Sequence, residues 1–229
     1  VTLQRLFSCA SEQLKMPIFF KTQWIPGILN LRNLKSLLQG LKEFPELLTI
    51  NNLPVSHPKP FFENPAHWIQ SHFKTNRRKE EWIAGRLACI HLYQKAKLWP
   101  LTTSVSHCSN IAIACAITPR RFAIGIDIEP KNRRLSERLC VQIFTPEERQ
   151  FPCSPIQLWT IKEAAYKAFR NSTTSLQSIQ MSLPDFKEPT SELFSGVLDD
   201  KITLKEGRYW SIHQQDFTLS LVSVASQNS

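Results

Sequence analysis

The chain has 229 residues, 42% of them hydrophobic, enough for one large domain or two small ones with real cores. Only 6 glycines stand against 15 prolines, and neither GxGxxG nor GxxxxGK[ST] occurs, which excludes a glycine-rich phosphate loop. The six cysteines form no CxxC pair, which argues against a structural zinc site, and the formal net charge of +9 favours an acidic partner of any kind: nucleic acid, anionic membrane or protein.

Residues 1–20 are interrupted by Arg5, Glu12 and Lys15 and lack the apolar run of a signal peptide or membrane span. The protein is therefore expected in the cytoplasm with reduced thiols, and Met16 is a candidate natural start. Leu31, Leu34, Leu37, Leu38 and Leu41 recur at helical spacing and predict an amphipathic helix over 29–44. The proline-rich stretch 51–65 reads as a loop. A second helix is expected over 76–97, with a basic first turn. The period then changes, and residues 104–107, 111–117 and 122–129 read as successive strands joined by short turns, hence antiparallel. A short helix is expected over 135–144. Thr145-Pro146-Glu147-Glu148 has the form of a capping box at a helix start. A longer helix is expected over 155–170, then strands near 192–198, 209–213 and 217–225. Helices, strands, helices, strands in that order predict an α+β protein of two similar halves, residues 1–124 and 125–229.

Four constellations carry candidate chemistry. In Gly125-Ile126-Asp127-Ile128-Glu129, strand alternation turns both carboxylates to one face, roughly 6–7 Å apart. Paired carboxylates repel unless a cation or proton lies between them, and hard oxygen donors suit Mg²⁺ and the phosphates it brings. A solvated strand face explains the same pentapeptide equally well. In Trp159-Thr160-Ile161-Lys162-Glu163-Ala164-Ala165-Tyr166-Lys167, residues 159, 163 and 167 share one helix face, a spacing that an ordinary surface Glu–Lys pair also satisfies. In Ser104-Val105-Ser106-His107, the histidine can donate to a phosphate or simply end a strand. The run from Arg77 to Arg86 offers cations at a helix start, or a solvated charged face.

GIDIE followed by WTIKEAAYK resembles the paired signature motifs of the 4′-phosphopantetheinyl transferase superfamily, G-[IV]-D-[IV]-E and W-x-x-K-E-[AS]-x-x-K, in the family's order and interval. Three weaker matches agree: SVSH with S-[IL]-S-H, RRKEEWIAGR with the arginine-bearing helix of the siderophore-synthetase branch, and FTPEE with F-[ST]-x-x-E. The resemblance spans residues 77–167. It departs from the family at Phe169-Arg170-Asn171-Ser172, where a glycine-containing stretch is usual, and at Thr103, where the family has glycine.

The resemblance implies the long, monomeric type of this family, two pseudo-symmetric α+β halves with the active site between them. It implies Mg²⁺ (or Mn²⁺) held by Asp127, Glu129 and Glu163, and coenzyme A as substrate. Glu163 would be the base for the carrier serine, with Glu148 a second candidate. Lys167, His107, Ser106 and Lys162 would bind the coenzyme, and Arg78 and Arg86 its adenosine 3′-phosphate. The acceptor would be an apo acyl or peptidyl carrier protein, with a lean toward siderophore or other secondary metabolism, and with neither nucleic acid nor membrane as a partner. The alternatives are a Mg²⁺-dependent nuclease, which also needs clustered carboxylates and a lysine, and a non-catalytic basic nucleic-acid-binding module. The nuclease usually places its lysine two residues after the second acid on a strand, whereas Lys167 follows Glu163 by four on a predicted helix.

Overall fold

A computed structural model describes residues 3–14, 18–24, 31–44, 47, 49–50, 53–54, 59–96, 102–109, 111–117, 122–169, 174–182, 193–214 and 216–225. The protein is α+β. Its first part holds α1 (Leu3–Leu14), β1 (Ile18–Trp24), α2 (Leu31–Glu43), the short hairpin β2 (Thr49–Ile50) and β3 (Leu53–Pro54), α3 (Lys59–Glu63), α4 (Pro65–His72) and α5 (Asn76–Ala96). Next come β4 (Thr102–Cys108), β5 (Ile111–Ile117), β6 (Phe122–Pro130), α6 (Glu137–Ile143), α7 (Pro155–Phe169), β7 (Ile179–Met181), β8 (Leu193–Asp200), β9 (Lys205–His213) and β10 (Phe217–Ala225).

Two larger antiparallel sheets result, β1-β5-β4 and β6-β10-β9-β8-β7. The expectation that the strands at 104–107, 111–117 and 122–129 form one sheet is corrected here: β4 pairs with β5, but β6 pairs with β10, ninety residues on. The two sheets meet at β4 and β6, through side chains. Ser104 Oγ accepts from Ile126 N at 3.1 Å, and Ser106 Oγ from Ile128 N at 3.4 Å. Residues two apart on a strand point the same way, so the S-x-S spacing aims both hydroxyls at the outer edge of β6 and satisfies buried N–H groups there. The border expected at 124/125 falls inside β6.

A shared core lies under this seam. Leu6, Phe7 and Ala10 of α1 pack with Ile113, Ile126, Trp210 and Leu219, all 2% exposed or less, and Trp210 Nε1 donates to Gln13 Oε1 at 2.9 Å. Helix α1 precedes Met16, so Leu6, Phe7 and Ala10 reach this core from the stretch before it. Truncating Leu6 or Phe7 to alanine should cost about 2–5 kcal/mol. The stretch expected to be a loop contains α3, which buries Phe61 completely, and α4 begins at its end. The prolines mislead because they start helices here. Pro65 occupies the first turn of α4, where its missing N–H costs nothing, and the Asn64 side chain accepts from His67 N at 3.2 Å. The capping box at Thr145 forms reciprocally, Glu148 N to Thr145 Oγ1 at 3.2 Å and Thr145 N to Glu148 Oε2 at 2.9 Å, but it opens a single 3₁₀ turn, Glu148–Gln150.

Candidate active site

One wall of the site comes from β6 and α7. Strand alternation sends Ile124, Ile126 and Ile128 into the shared core and turns Asp127 and Glu129 toward α7. Glycine at 125 is a packing requirement: a Cβ there would lie 1.8 Å from Ala164 O, so a side chain would push α7 off the strand. Helix α7 starts at Ser154-Pro155, where Gln157 N donates to Ser154 Oγ at 3.4 Å and Ser154 N to Gln157 Oε1 at 3.0 Å. Its apolar face, Leu158, Ile161, Ala164, Ala165 and Ala168, is buried in the core of the second part. That leaves Trp159, Glu163 and Lys167 facing a cleft of ≈ 1130 Å³.

Asp127 is buried, and its Oδ1 takes two bonds of 2.8 Å, from Lys167 Nζ and from Ser106 Oγ. Lys167 Nζ also donates to Ile126 O at 2.9 Å. The other carboxylate oxygen, Asp127 Oδ2, is buried and has no hydrogen-bond partner among the described residues. Burial, then the charge of Asp127, pushes Glu129 up to about 7, against the pull of Arg133. Arg133 pairs with Glu129 and lies over the Trp159 ring, 5.3 Å from its centroid. Burial and then Asp127 also raise Glu163. Glu129 and Glu163 thus resist ionisation beside Asp127 and its unsatisfied buried oxygen, an arrangement that a divalent cation relieves.

Among the described residues no three His, Cys, Asp or Glu side chains form a ready-made metal cage. The donor set still fits Mg²⁺, which binds through one or two carboxylates and completes its shell with water and substrate phosphate. Cys108 also lines the cleft, but burial, Glu129 and Asp127 push its thiol up to about 12, so it is no nucleophile.

The opposite wall comes from α5 and β4. Helix α5 can lie close to β4 because position 85 is glycine, whose Cβ would already meet Val105 Cγ2 at 3.3 Å. At its first turns Arg77 Nε donates to Glu81 Oε1 at 2.8 Å and Arg78 Nη1 to Glu81 Oε2 at 3.1 Å. His107 Nδ1 lies 3.7 Å from the same Oε2. Burial lowers the His107 pKa, Glu81 opposes this, and Lys167 and Arg78 add to the lowering. Arg86 lines the cleft too, with Nη1 donating to Leu47 O at 3.0 Å.

Eight of the ten residues expected at the site line this one cleft: Arg78, Arg86, Ser106, His107, Asp127, Glu129, Glu163 and Lys167. Glu148 and Lys162 do not, and their expected roles are corrected. They form a buried ion pair of 2.8 Å, 1% and 0% exposed. Lys162 Nζ donates to Ile143 O at 2.9 Å and Ile179 O at 2.7 Å, and Glu148 Oε1 accepts from Met181 N at 2.9 Å. The pair ties α6, α7 and β7 together. The capping box was the signal for Glu148, since a carboxylate that closes a cap is already engaged. In the sequence Arg77 stands only as one cation of a charge run, and Glu81 has no assigned role. Their i, i+4 spacing was visible, but burial of Glu81 was not.

No curated protein matches the chain. Residues 123–222, which hold most of β6 and β10, all of α7 and the whole acidic wall, match the family model of the 4′-phosphopantetheinyl transferase superfamily.

Proposed function

We propose that this protein transfers the 4′-phosphopantetheine group of coenzyme A to a serine hydroxyl of an apo acyl or peptidyl carrier protein, releasing 3′,5′-ADP. The observation that carries the reading is one cleft whose acidic wall, with its orphaned Asp127 oxygen, faces a wall of Arg77, Arg78 and His107. Coenzyme A needs both: a place for a cation-bound diphosphate and a place for a further phosphate. Asp127, Glu129 and Glu163 would hold Mg²⁺, which when bound neutralises the diphosphate and stabilises charge on the phosphorus oxygens.

Lys167 orients the site. Two of its three N–H donors engage Asp127 and Ile126 O, which leaves a third for a diphosphate oxygen. His107 donates to the same diphosphate. Glu163, with its raised pKa, accepts the serine proton directly or through water. The serine oxygen then forms a bond to the β-phosphorus as the bond from that phosphorus to the ADP oxygen breaks. Arg133 and Arg134, both exposed beside the acidic strand, would meet acidic side chains of the carrier, and the +9 net charge would steer it in. In this reading the protein works as a monomer in the cytoplasm, its two α+β halves pseudo-symmetric.

The test is incubation of the protein with coenzyme A and a panel of apo carriers, read by intact mass. One phosphopantetheine should be added to at least one carrier with Mg²⁺ and to none with chelator. Failure to modify any carrier, with no binding of coenzyme A, would overturn the reading.

A further inference from the structure

Glu81 is the oddity of the basic wall. It is 3% exposed, on a helix that buries Trp82, Ile83 and Ala84 beside it, where an apolar residue would pack without desolvating a charge. Its partners are the reverse: the Arg77 and Arg78 side chains are 79% and 68% exposed. Exposed arginines contribute little stability through such pairs, so stability alone does not explain the carboxylate. Its geometry does something more specific. Each oxygen takes one arginine, Oε1 from Arg77 Nε and Oε2 from Arg78 Nη1, and Oε2 also lies near His107 of β4. Two flexible side chains on adjacent helix positions are thereby drawn to one point of the cleft. Each guanidinium spends one of its five N–H donors and keeps the rest.

We propose that Glu81 is a positioning residue that fixes Arg77 and Arg78 as a paired clamp for the 3′-phosphate of the nucleotide half of the donor. The proposal rests on the coenzyme A reading above. That reading gives the diphosphate to the carboxylate wall, and a dianionic phosphate is the remaining group that two guanidiniums can grip with parallel N–H bonds. Arg86, already donating to Leu47 O, supports the wall from the next turns of the helix. Two effects oppose each other when Glu81 loses its charge. The wall becomes more positive, which favours phosphate, but the arginines lose the anchor that orders them. Because both arginines stand in solvent, the added charge is screened, and the loss of order wins.

The experiment uses the full chain with Glu81→Gln and Glu81→Ala, and with Arg77→Ala/Arg78→Ala as a double variant on exposed positions. Calorimetry gives the affinity for 3′,5′-ADP against 5′-AMP, the same nucleotide without the 3′-phosphate. Turnover gives kcat/KM with coenzyme A against 3′-dephospho-coenzyme A. Wild type should prefer the 3′-phosphorylated ligand. That preference should fall about tenfold in Glu81→Ala and in the double variant, and by less in Glu81→Gln, whose amide still accepts from one arginine. Equal losses for both ligands in the Glu81 variants would make Glu81 merely structural and overturn the proposal, as would a preference that stays the same or rises. If the Glu81 variants do not fold, a wild-type preference in the double variant overturns it alone. A wild type that transfers phosphopantetheine without any 3′-phosphate preference overturns this proposal and leaves the transferase reading standing. A wild type that neither transfers nor binds nucleotide overturns both.

Discussion

Asp127 and Arg78 line the same cleft, yet Asp127 is 5% exposed and the Arg78 side chain 68%. The acidic wall concentrates its charges in a buried place, on a strand and a helix pressed together at Gly125, so that burial and then Asp127 raise the pKa of Glu129 and Glu163. The basic wall leaves its charges in water and orders them through one buried carboxylate, Glu81. In the proposed reading this acidic wall would hold a divalent ion, whose arrival would relieve the cost of burying its charges. A group meant to hold a solvated phosphate gains from orientation, because its charge is screened whatever the protein does.

The largest effect should come from breaking the approach of α7 to β6. In Gly125→Ala the new methyl would collide with Ala164 O, a backbone atom that cannot rotate away. A loss of at least about 3 kcal/mol is expected in denaturant unfolding, with activity falling in parallel. Unchanged stability would mean that the strand and helix are not locked together. Asp127→Asn should act on chemistry alone. The amide keeps the shape, Lys167 keeps its bond to Ile126 O, and the orphaned oxygen loses its charge. Turnover should fall by about 10²-fold or more, with the unfolding midpoint nearly unmoved, since a lost interaction of about 3 kcal/mol in the transition state has that size.

A third, smaller effect is a pH dependence of stability. Glu129 has a folded-state pKa of about 7, above its ordinary value of 4.5. Holding it ionised therefore costs the fold stability above pH 7. That cost is relieved as pH falls through 7 toward 5, where the native state takes up a proton that the unfolded chain does not yet bind. In chelator, the wild type should gain stability relative to Glu129→Gln between pH 8 and pH 5.5, and Mg²⁺ should flatten the difference. A gap between the two proteins that is constant with pH would contradict the raised pKa. The smallest effect belongs to exposed charge. Arg133→Glu/Arg134→Glu should slow association with an apo carrier in stopped-flow traces and weaken its salt dependence. Surface charges are screened beyond a Debye length of about 8 Å at physiological ionic strength. Identical, flat salt profiles for the two proteins would remove the docking role of this patch.

Much of the second half of the chain was legible before any coordinates. The expected helix at 155–170 is α7 less one residue, and the strand at 217–225 is β10 to the residue. Both are long, strongly periodic segments with clear punctuation, a proline at the start of one and polar residues on either side of the other. The shared face of Trp159, Glu163 and Lys167 followed from helical spacing alone. The first half was harder. The amphipathic α1 is short, and its role depends on a core formed with residues about two hundred positions away. Likewise the short turn before β6 suggested pairing with β5, but strand partners are chosen by the whole sheet.

By itself, the sequence determined the local objects: two carboxylates on one strand face, a Trp–Glu–Lys helix face, two hydroxyls spaced to point one way, and cations at a helix start. Each follows from a backbone period of two or 3.6, which needs no knowledge of the rest of the chain. Burial and partnership were decided only by tertiary structure. Glu148 and Glu163 are both glutamates in motif positions, yet one is spent on a cap and a buried lysine and the other opens on the cleft. Glu81 stands in a charge run that gives it no distinction by sequence, yet it falls beneath two arginines and beside a histidine from another element. A carboxylate's function is set by its desolvation and by the charges within a few ångströms of it, and those depend on which distant elements pack against it.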